Sequence, residues 1–341
     1  MKNIIIFIQA PADVKYALQH YLDNRDNYRI IFIIVNVTSI AHYIKSLLLK
    51  NTEVITVPYI MISYMNALSW MKAKKYINRI FRDIMRKYSN VDCIYFYSRT
   101  YDYITFSLVQ RLLHNCAIII YYNHYDDQTM MNLKNDASIK SKILIILFNL
   151  ILQLQVVILH NGISKVLIYR YDNNIVHKVT PSTSEKRIIF KNIKNKYGYS
   201  VYTTSVKNAL LLFSKGDELL SKHFNELTIE LISFLKEQDY RLFIKGHPRM
   251  GYPEIFRDNI DIRIDPNIPG ELIKIDDRFI IIGLSSATLG YLGQQYKNVF
   301  SLLRYYKILD EKILIKNINY MNSYTDNITY PSSINDLVKY L

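Results

Sequence analysis

Short runs rich in β-branched residues punctuate the first half of this chain: Ile4 to Ile8, Arg29 to Val35, Val54 to Val57, Cys93 to Tyr97, Ala117 to Tyr122 and Val156 to His160. Helical patterns lie between them, and strands that alternate with helices pair into a parallel sheet whose crossovers cover its faces. A second series follows. Ala209 to Phe213, Arg241 to Lys245, Phe279 to Ile282 and Val299 to Leu302 read as strands, with helices expected over Leu219 to Lys236 and Ser286 to Leu292. Thr180 to Glu185 reads as a loop and Lys191 to Thr204 as a polar stretch, so a domain boundary is expected near residue 200. With 341 residues, the expectation is a first Rossmann-like domain over 1–200 and a second over 201–330. Ser333 caps a closing helix over 331–341 that can pack back on the first domain.

Lys+Arg 43 against Asp+Glu 29 gives a formal charge of +14, which favours anionic partners such as nucleic acid, acidic membrane surfaces or phosphorylated small molecules. The charges are spread along the chain, and no helix-turn-helix, RNA-recognition or zinc-finger pattern accompanies them. A basic nucleic-acid-binding protein is therefore the reading from a different class, and nucleic acid is not the expected partner. Cys93 and Cys116 sit in strand-like runs without metal-ligand spacing, which implies neither a zinc site nor a disulfide scaffold and suits a reducing cytoplasm. The first residues lack a secretory cleavage pattern. Ile143 to Leu159 approaches membrane length, but Asn149, Gln153 and Gln155 interrupt it, so a buried helix and strand are expected there. Neither half holds a GxGxxG or Walker sequence.

Three strand ends carry chemistry. Phe243-Ile244-Lys245-Gly246-His247-Pro248-Arg249 ends a strand at an ionisable cluster, and ligands of open α/β sheets bind at the carboxyl ends of strands. His247 between Lys245 and Arg249 suits a proton donor or charge stabiliser at a phosphate, against the plainer reading of a turn residue. Ile280-Ile281-Ile282-Gly283-Leu284-Ser285-Ser286 places hydroxyls at a helix start, an anion site or simply an N-cap. Asn123-His124-Tyr125-Asp126-Asp127-Gln128 follows a first-half strand, and paired carboxylates can leave one of them poised as a base; the alternative is a solvated Asx turn.

Together these segments resemble the bacterial sialyltransferases of the GT-B fold, most closely glycosyltransferase family 80, with related motifs in families 52 and 38. The family's Asp-Asp-Gly, His-Pro and Ser-Ser motifs have counterparts here in Tyr125-Asp126-Asp127-Gln128, Lys245-Gly246-His247-Pro248-Arg249 and Ser285-Ser286, in the same order. The resemblance implies an α/β, GT-B-like chain with two Rossmann-like domains facing a central cleft, the first binding the acceptor and the second a CMP-linked donor. It implies Asp127 as general base, His247 at the CMP phosphate, and Ser285 and Ser286 holding that phosphate. Lys245, Gly246, Pro248 and Arg249 are implied on the donor side, with Glu271 on the ribose hydroxyls and Gly216, in Ser214-Lys215-Gly216-Asp217, near the base. Gln128 stands where the family has Gly, which leaves Asp126 as a second candidate base.

The activity so implied is inverting transfer of sialic acid from CMP-sialic acid to a terminal sugar of a surface glycan, lipooligosaccharide or capsule, with no cofactor and no metal. Transfer of another CMP-ulosonate (pseudaminic acid, legionaminic acid or Kdo) and a CDP-glycerol-type phosphotransfer are the alternatives. A location follows from Trp70 to Tyr88, where Lys75, Arg79, Arg82 and Arg86 recur on one helical stripe beside Ile77, Ile80, Phe81 and Ile84. A lipid-linked glycan acceptor would place such a stripe against the anionic cytoplasmic face of the inner membrane, as a peripheral and not a spanning contact. A solvated basic face is the plainer reading.

Overall fold

A computed structural model describes residues 2–35, 37–58, 60, 67–88, 90–97, 103–112, 117–121, 147, 176–179, 181–308 and 310–341. The chain divides into two units, Met1–Ile193 and Lys194–Leu341. In the first, strands β1 (Lys2–Ile8), β2 (Tyr28–Val35), β3 (Thr52–Val57), β4 (Val91–Phe96), β5 (Ala117–Tyr121) and β6 (Val176–Val179) form one parallel sheet in the order β3-β2-β1-β4-β5-β6. Ile4 to Ile8 of β1 and Ile30 to Ile34 of β2 are buried without alternation, as strands covered on both faces must be. Helices α1 (Val14–Asn24), α2 (Thr38–Ser46), α3 (Ala67–Lys87) and α4 (Tyr103–Leu112) supply the crossovers. On one face Ile5, Phe7, Ile31 and Ile33 pack with Trp70, Ile77 and Ile84 of α3 and with Ile104 and Leu108 of α4. The opposite side of α3 leaves Lys75, Arg79, Arg82 and Arg86 exposed, so the two stripes read from the sequence are separate faces of one helix.

The second unit repeats the plan. Strands β8 (Asn208–Leu212), β9 (Arg241–Lys245), β10 (Ile262–Ile264), β12 (Phe279–Gly283), β13 (Val299–Ser301) and β14 (Ile328–Thr329) lie parallel in the order β10-β9-β8-β12-β13-β14. β7 (Tyr199–Ser200) and β11 (Ile273–Lys274) pair as a separate two-stranded ribbon. Numbered within each sheet, both orders are 3-2-1-4-5-6, that of dinucleotide-binding sheets, with a switch point between the first and fourth strands. Two Rossmann-like α/β units in tandem are the composition of the GT-B class.

Three sequence expectations shift. Thr183–Tyr197 is a helix, α5, where a loop and a polar stretch were expected, and the division of the units falls inside it. The signal is a capping box: the Ser182 amide donates to the Glu185 carboxylate (2.6 Å) and the Glu185 amide donates to the Ser182 hydroxyl (3.2 Å). The helix expected from Leu219 is a 3₁₀ turn over Lys215–Leu220, then α6 (Phe224–Glu237), separated by extended backbone at Ser221. The closing helix, α9 (Ile334–Val338), follows α7 (Ala287–Gly293) and α8 (Glu311–Asn322). Leu337 is fully buried in the second unit's core, while Ser333 caps the helix by accepting from the Asp336 amide at 3.1 Å.

The first turn after the first strand is closed in the same way in both sheets. In the first unit Asp13, fully buried, accepts from the Gln9 and Ala10 amides at 3.0 and 2.9 Å. In the second, Asp217 accepts from the Ser214 amide at 2.7 Å. Each carboxylate sits five positions past its strand's last residue, Ile8 or Leu212, on a 3₁₀ turn. Replacing Asp13 by Ala strands two amides at a buried turn, each worth about 1–3 kcal/mol when left unmet. The Asp13→Ala protein is expected to lose roughly 2–4 kcal/mol of stability, read as a lower urea midpoint. Asp13→Asn, which keeps an acceptor oxygen, should recover most of it, and equal midpoints for Asp13→Ala and wild type would refute the role.

Candidate functional site

A small cavity (≈ 70 Å³) lies at the switch point of the second sheet. It is lined by Leu212, Phe213, Ser214 and Asp217 after β8, by Lys245, Gly246 and His247 at the end of β9, and by Ser285, Ser286 and Thr288 after β12. Gly283 lets the strands meet there, because a Cβ on it would stand 2.8 Å from the Leu212 carbonyl. The His-Pro and Ser-Ser segments, some forty residues apart in sequence, thus reach one place for the reason open α/β sheets bind ligands at strand ends.

Lys245 is the cation of this site. Its side chain is buried, and Nζ donates to the carbonyls of Gly246 (2.9 Å) and Pro266 (3.3 Å). Burial lowers the ammonium pKa to about 8, opposed by the charges of Glu271 and Asp265. Glu271 is itself buried and does not line the cavity; it acts on Lys245 from behind. Gly246 is packed so closely that a Cβ would lie 2.9 Å from the Gly251 backbone.

His247 is held by a tight loop. Its amide donates to the Gly251 carbonyl (2.9 Å) and its carbonyl accepts from the Gly251 amide (2.8 Å), while Gly251 has φ +70, the left-handed region that favours glycine. The Arg249 and Met250 amides both point at His247 Nδ1, at 3.2 and 3.3 Å. Two donors there require an unprotonated Nδ1, so the proton of the neutral ring is on Nε2. Partial burial, then the positive charges of Lys245 and Arg249, hold the ring's pKa below its ordinary 6.5. Pro248 and Arg249 build this loop but do not line the cavity.

The two serines differ. Ser286 is the N-cap of α7, its Oγ accepting from the Leu289 amide at 3.1 Å, as the plainer reading had it; its hydroxyl proton remains available as a donor. Ser285 is half-buried at the cavity wall. Gly216 does not line the cavity, and a Cβ on it would first meet the end of the Met250 side chain, at 2.7 Å. The residue of that loop that does reach the cavity is Asp217, whose carboxyl pKa burial raises to about 6 against the hydrogen bonds from Ser214. The sequence signal for it was the Ser-x-x-Asp spacing of Ser214 and Asp217, a turn-capping pattern. Thr288 belongs to the same run of hydroxyls at the helix start as Ser285 and Ser286. Asp126, Asp127 and Gln128 lie outside the described residues, as do Cys116 and, apart from Leu147, the Ile143 to Leu159 run. Among the described residues no group of His, Cys, Asp and Glu could hold a metal ion, and no helix is long and apolar enough to cross a membrane.

The His247 geometry has a pH consequence. A folded-state pKa below that of the unfolded chain means that the neutral ring fits the fold. Its contribution is complete above about pH 6.5 and is lost as pH falls through the lowered value. In a ¹⁵N-resolved titration of the ring, His247 should show the Nε2–H tautomer at neutral pH and a midpoint under 6.5. A protonated Nδ1 at neutral pH, or a midpoint above 6.5, would contradict the loop geometry.

No family model matches the chain, and no curated protein matches it. Solved structures similar to it include S. aureus MnaA with UDP (11% identity, 96% of this chain and 90% of that one, TM-score 0.44). A UDP-N-acetylglucosamine 2-epimerase from Rickettsia bellii is similar over 100% of this chain and 93% of its own (11% identity, TM-score 0.46). Acinetobacter baumannii MurG is similar over 99% of this chain and 90% of its own (13% identity, TM-score 0.41). These likenesses concern the course of the chain; the fold rests on the strand orders above.

Proposed function

We propose that this protein is a nucleotide-sugar-dependent glycosyltransferase whose second unit binds the phosphate of a CMP-activated ulosonate, CMP-sialic acid in the first instance. The observation that carries the reading is the convergence of Lys245, His247, Ser285, Ser286 and Thr288 on one cavity at the switch point. Such a set suits a phosphate on which charge develops as the bond to the sugar breaks. Lys245 supplies fixed positive charge, the hydroxyls donate, and His247 donates a hydrogen bond from Nε2–H to the phosphate oxygen on which charge develops, keeping its proton. In this reading no metal is required for that step, because the cation and the donors are side chains. Asp127 takes the acceptor hydroxyl proton, with Asp126 as the second candidate. Other CMP-ulosonates, or a CDP-glycerol-type phosphotransfer, would engage the same groups.

His247→Ala is expected to cut transfer from CMP-sialic acid by roughly 100-fold to 1,000-fold while leaving CMP affinity little changed, since its hydrogen bond counts chiefly in the transition state. Asp127→Asn should abolish transfer with CMP binding intact. Near-wild-type transfer by the His247 variant, or no CMP binding by the wild type in calorimetry, would overturn the reading.

We place the enzyme at an anionic membrane surface through α3, where a lipid-linked acceptor is presented. The exposed face of α3 begins with Leu68 and Met71 and continues through Lys72, Lys75, Arg79, Arg82 and Arg86. Apolar side chains at one end of a basic ladder suit the interface of a charged bilayer, where each nearby Lys or Arg contributes about 1 kcal/mol. Wild type should sediment with anionic vesicles at low salt and be released at high salt. Lys75/Arg79/Arg82/Arg86→Glu should stay in the supernatant, and equal sedimentation of the two proteins would leave α3 as a solvated face.

A further inference from the structure

We infer that Asp217 is a specificity-determining residue of the donor cavity: its carboxylate occupies the place at the first turn where a second phosphate would bind, and so restricts the leaving group to one. The inference rests on the nucleotide-sugar reading and concerns what distinguishes a nucleoside monophosphate from a diphosphate at that site.

In sheets of this order the phosphates of a dinucleotide lie against the backbone amides of the turn after the first strand. Here that turn is Phe213 to Asp217, and the Ser214 amide is already engaged by Asp217 Oδ2 at 2.7 Å. The amide is therefore not available to a ligand unless the carboxylate is displaced. Asp217 lines the same cavity as Lys245, His247 and Ser285, so its charge lies beside whatever is bound there. A carboxyl pKa of about 6 leaves it largely ionised at pH 7.5.

The balance of charge points the same way. Among the described residues Lys245 is the one cation lining the cavity, Arg249 lies outside the lining, and His247 is neutral by its hydrogen bonds. A single phosphate meets that cation and the hydroxyls. A second phosphate would meet no further cation in the lining, and it would face Asp217 at close range.

The first unit supplies the contrast. Asp13 closes the equivalent turn more completely, holding two amides, and is fully buried. Turn closure alone therefore does not need a carboxylate that reaches an open cavity. Asp217 does both, and the second role is the one that acts on a ligand.

The test is calorimetric titration of CMP and CDP at pH 7.5 into wild type, Asp217→Asn and Asp217→Ser, with thermal melts to show that the variants fold. Both substitutions remove the charge and keep a turn-capping acceptor. Wild type is expected to bind CMP at least about tenfold tighter than CDP. The variants should gain about tenfold in CDP affinity while CMP affinity moves by less than about threefold. Equal CMP and CDP affinities in wild type, or an unchanged ratio in a folded variant, overturns the role of Asp217 while leaving the donor reading standing. If wild type binds neither nucleotide, the donor reading falls and this inference with it. The wild-type ratio decides without any variant.

Discussion

A carboxylate that accepts backbone amides just past the first strand is the contact on which the layout of both units depends. The first strand of a 3-2-1-4-5-6 sheet lies at its centre, so the chain leaving it must turn sharply over the sheet's end with amides aimed at solvent or at a ligand. Asp13 and Asp217 meet those amides from within the chain. A glycine-rich phosphate loop solves the same problem by leaving the amides open for an anion, and its absence from both halves is thus matched by a positive structural device. In the function proposed above, a ligand phosphate is then held by groups that flank this turn, after β9 on one side and after β12 on the other.

Those groups divide the work by their chemistry. Lys245 is held in place by carbonyls and kept charged by the carboxylates behind it, a fixed positive charge that needs no reorganisation when an anion arrives. His247 is neutral because two amides fill its Nδ1, which fixes the position of its proton instead of its charge. An anion brought to Nε2 strengthens the hydrogen bond that Nε2–H donates, while the two amides on Nδ1 hold the ring in that tautomer. The hydroxyls after β12 complete the set without adding charge.

The central strands were legible because they are buried on both faces: β1, β2, β8, β9 and β12 are apolar runs that no other element type explains as well. The strands that escaped notice, β6 (Val176–Val179), β10 (Ile262–Ile264) and β14 (Ile328–Thr329), are edges of their sheets. An edge strand has one neighbour and tolerates His177, Lys178 and Arg263, which erase the apolar run. α5 was read as loop because its start, Ser182 to Glu185, has the composition of a turn; the spacing of Ser182 and Glu185 is what marks it as a cap.

The site was legible to the same degree and for a related reason. Lys245, His247 and Ser285 stand out because an ionisable or hydroxyl group follows a buried strand directly, a placement that burial alone does not explain. Glu271 and Gly216 were nominated by resemblance, and neither lines the cavity. Gly216 drew attention from its neighbour because glycine is the expected residue at a ligand-facing turn, whereas this turn is closed by a side chain. A turn closed from within leaves its signature one residue further on, in the carboxylate at Asp217. Because the same spacing recurs in Ala10 and Asp13 at the equivalent turn, the pattern belongs to the fold, and it is the opening of one of the two turns onto a cavity that turns a structural cap into a group that can act on a ligand.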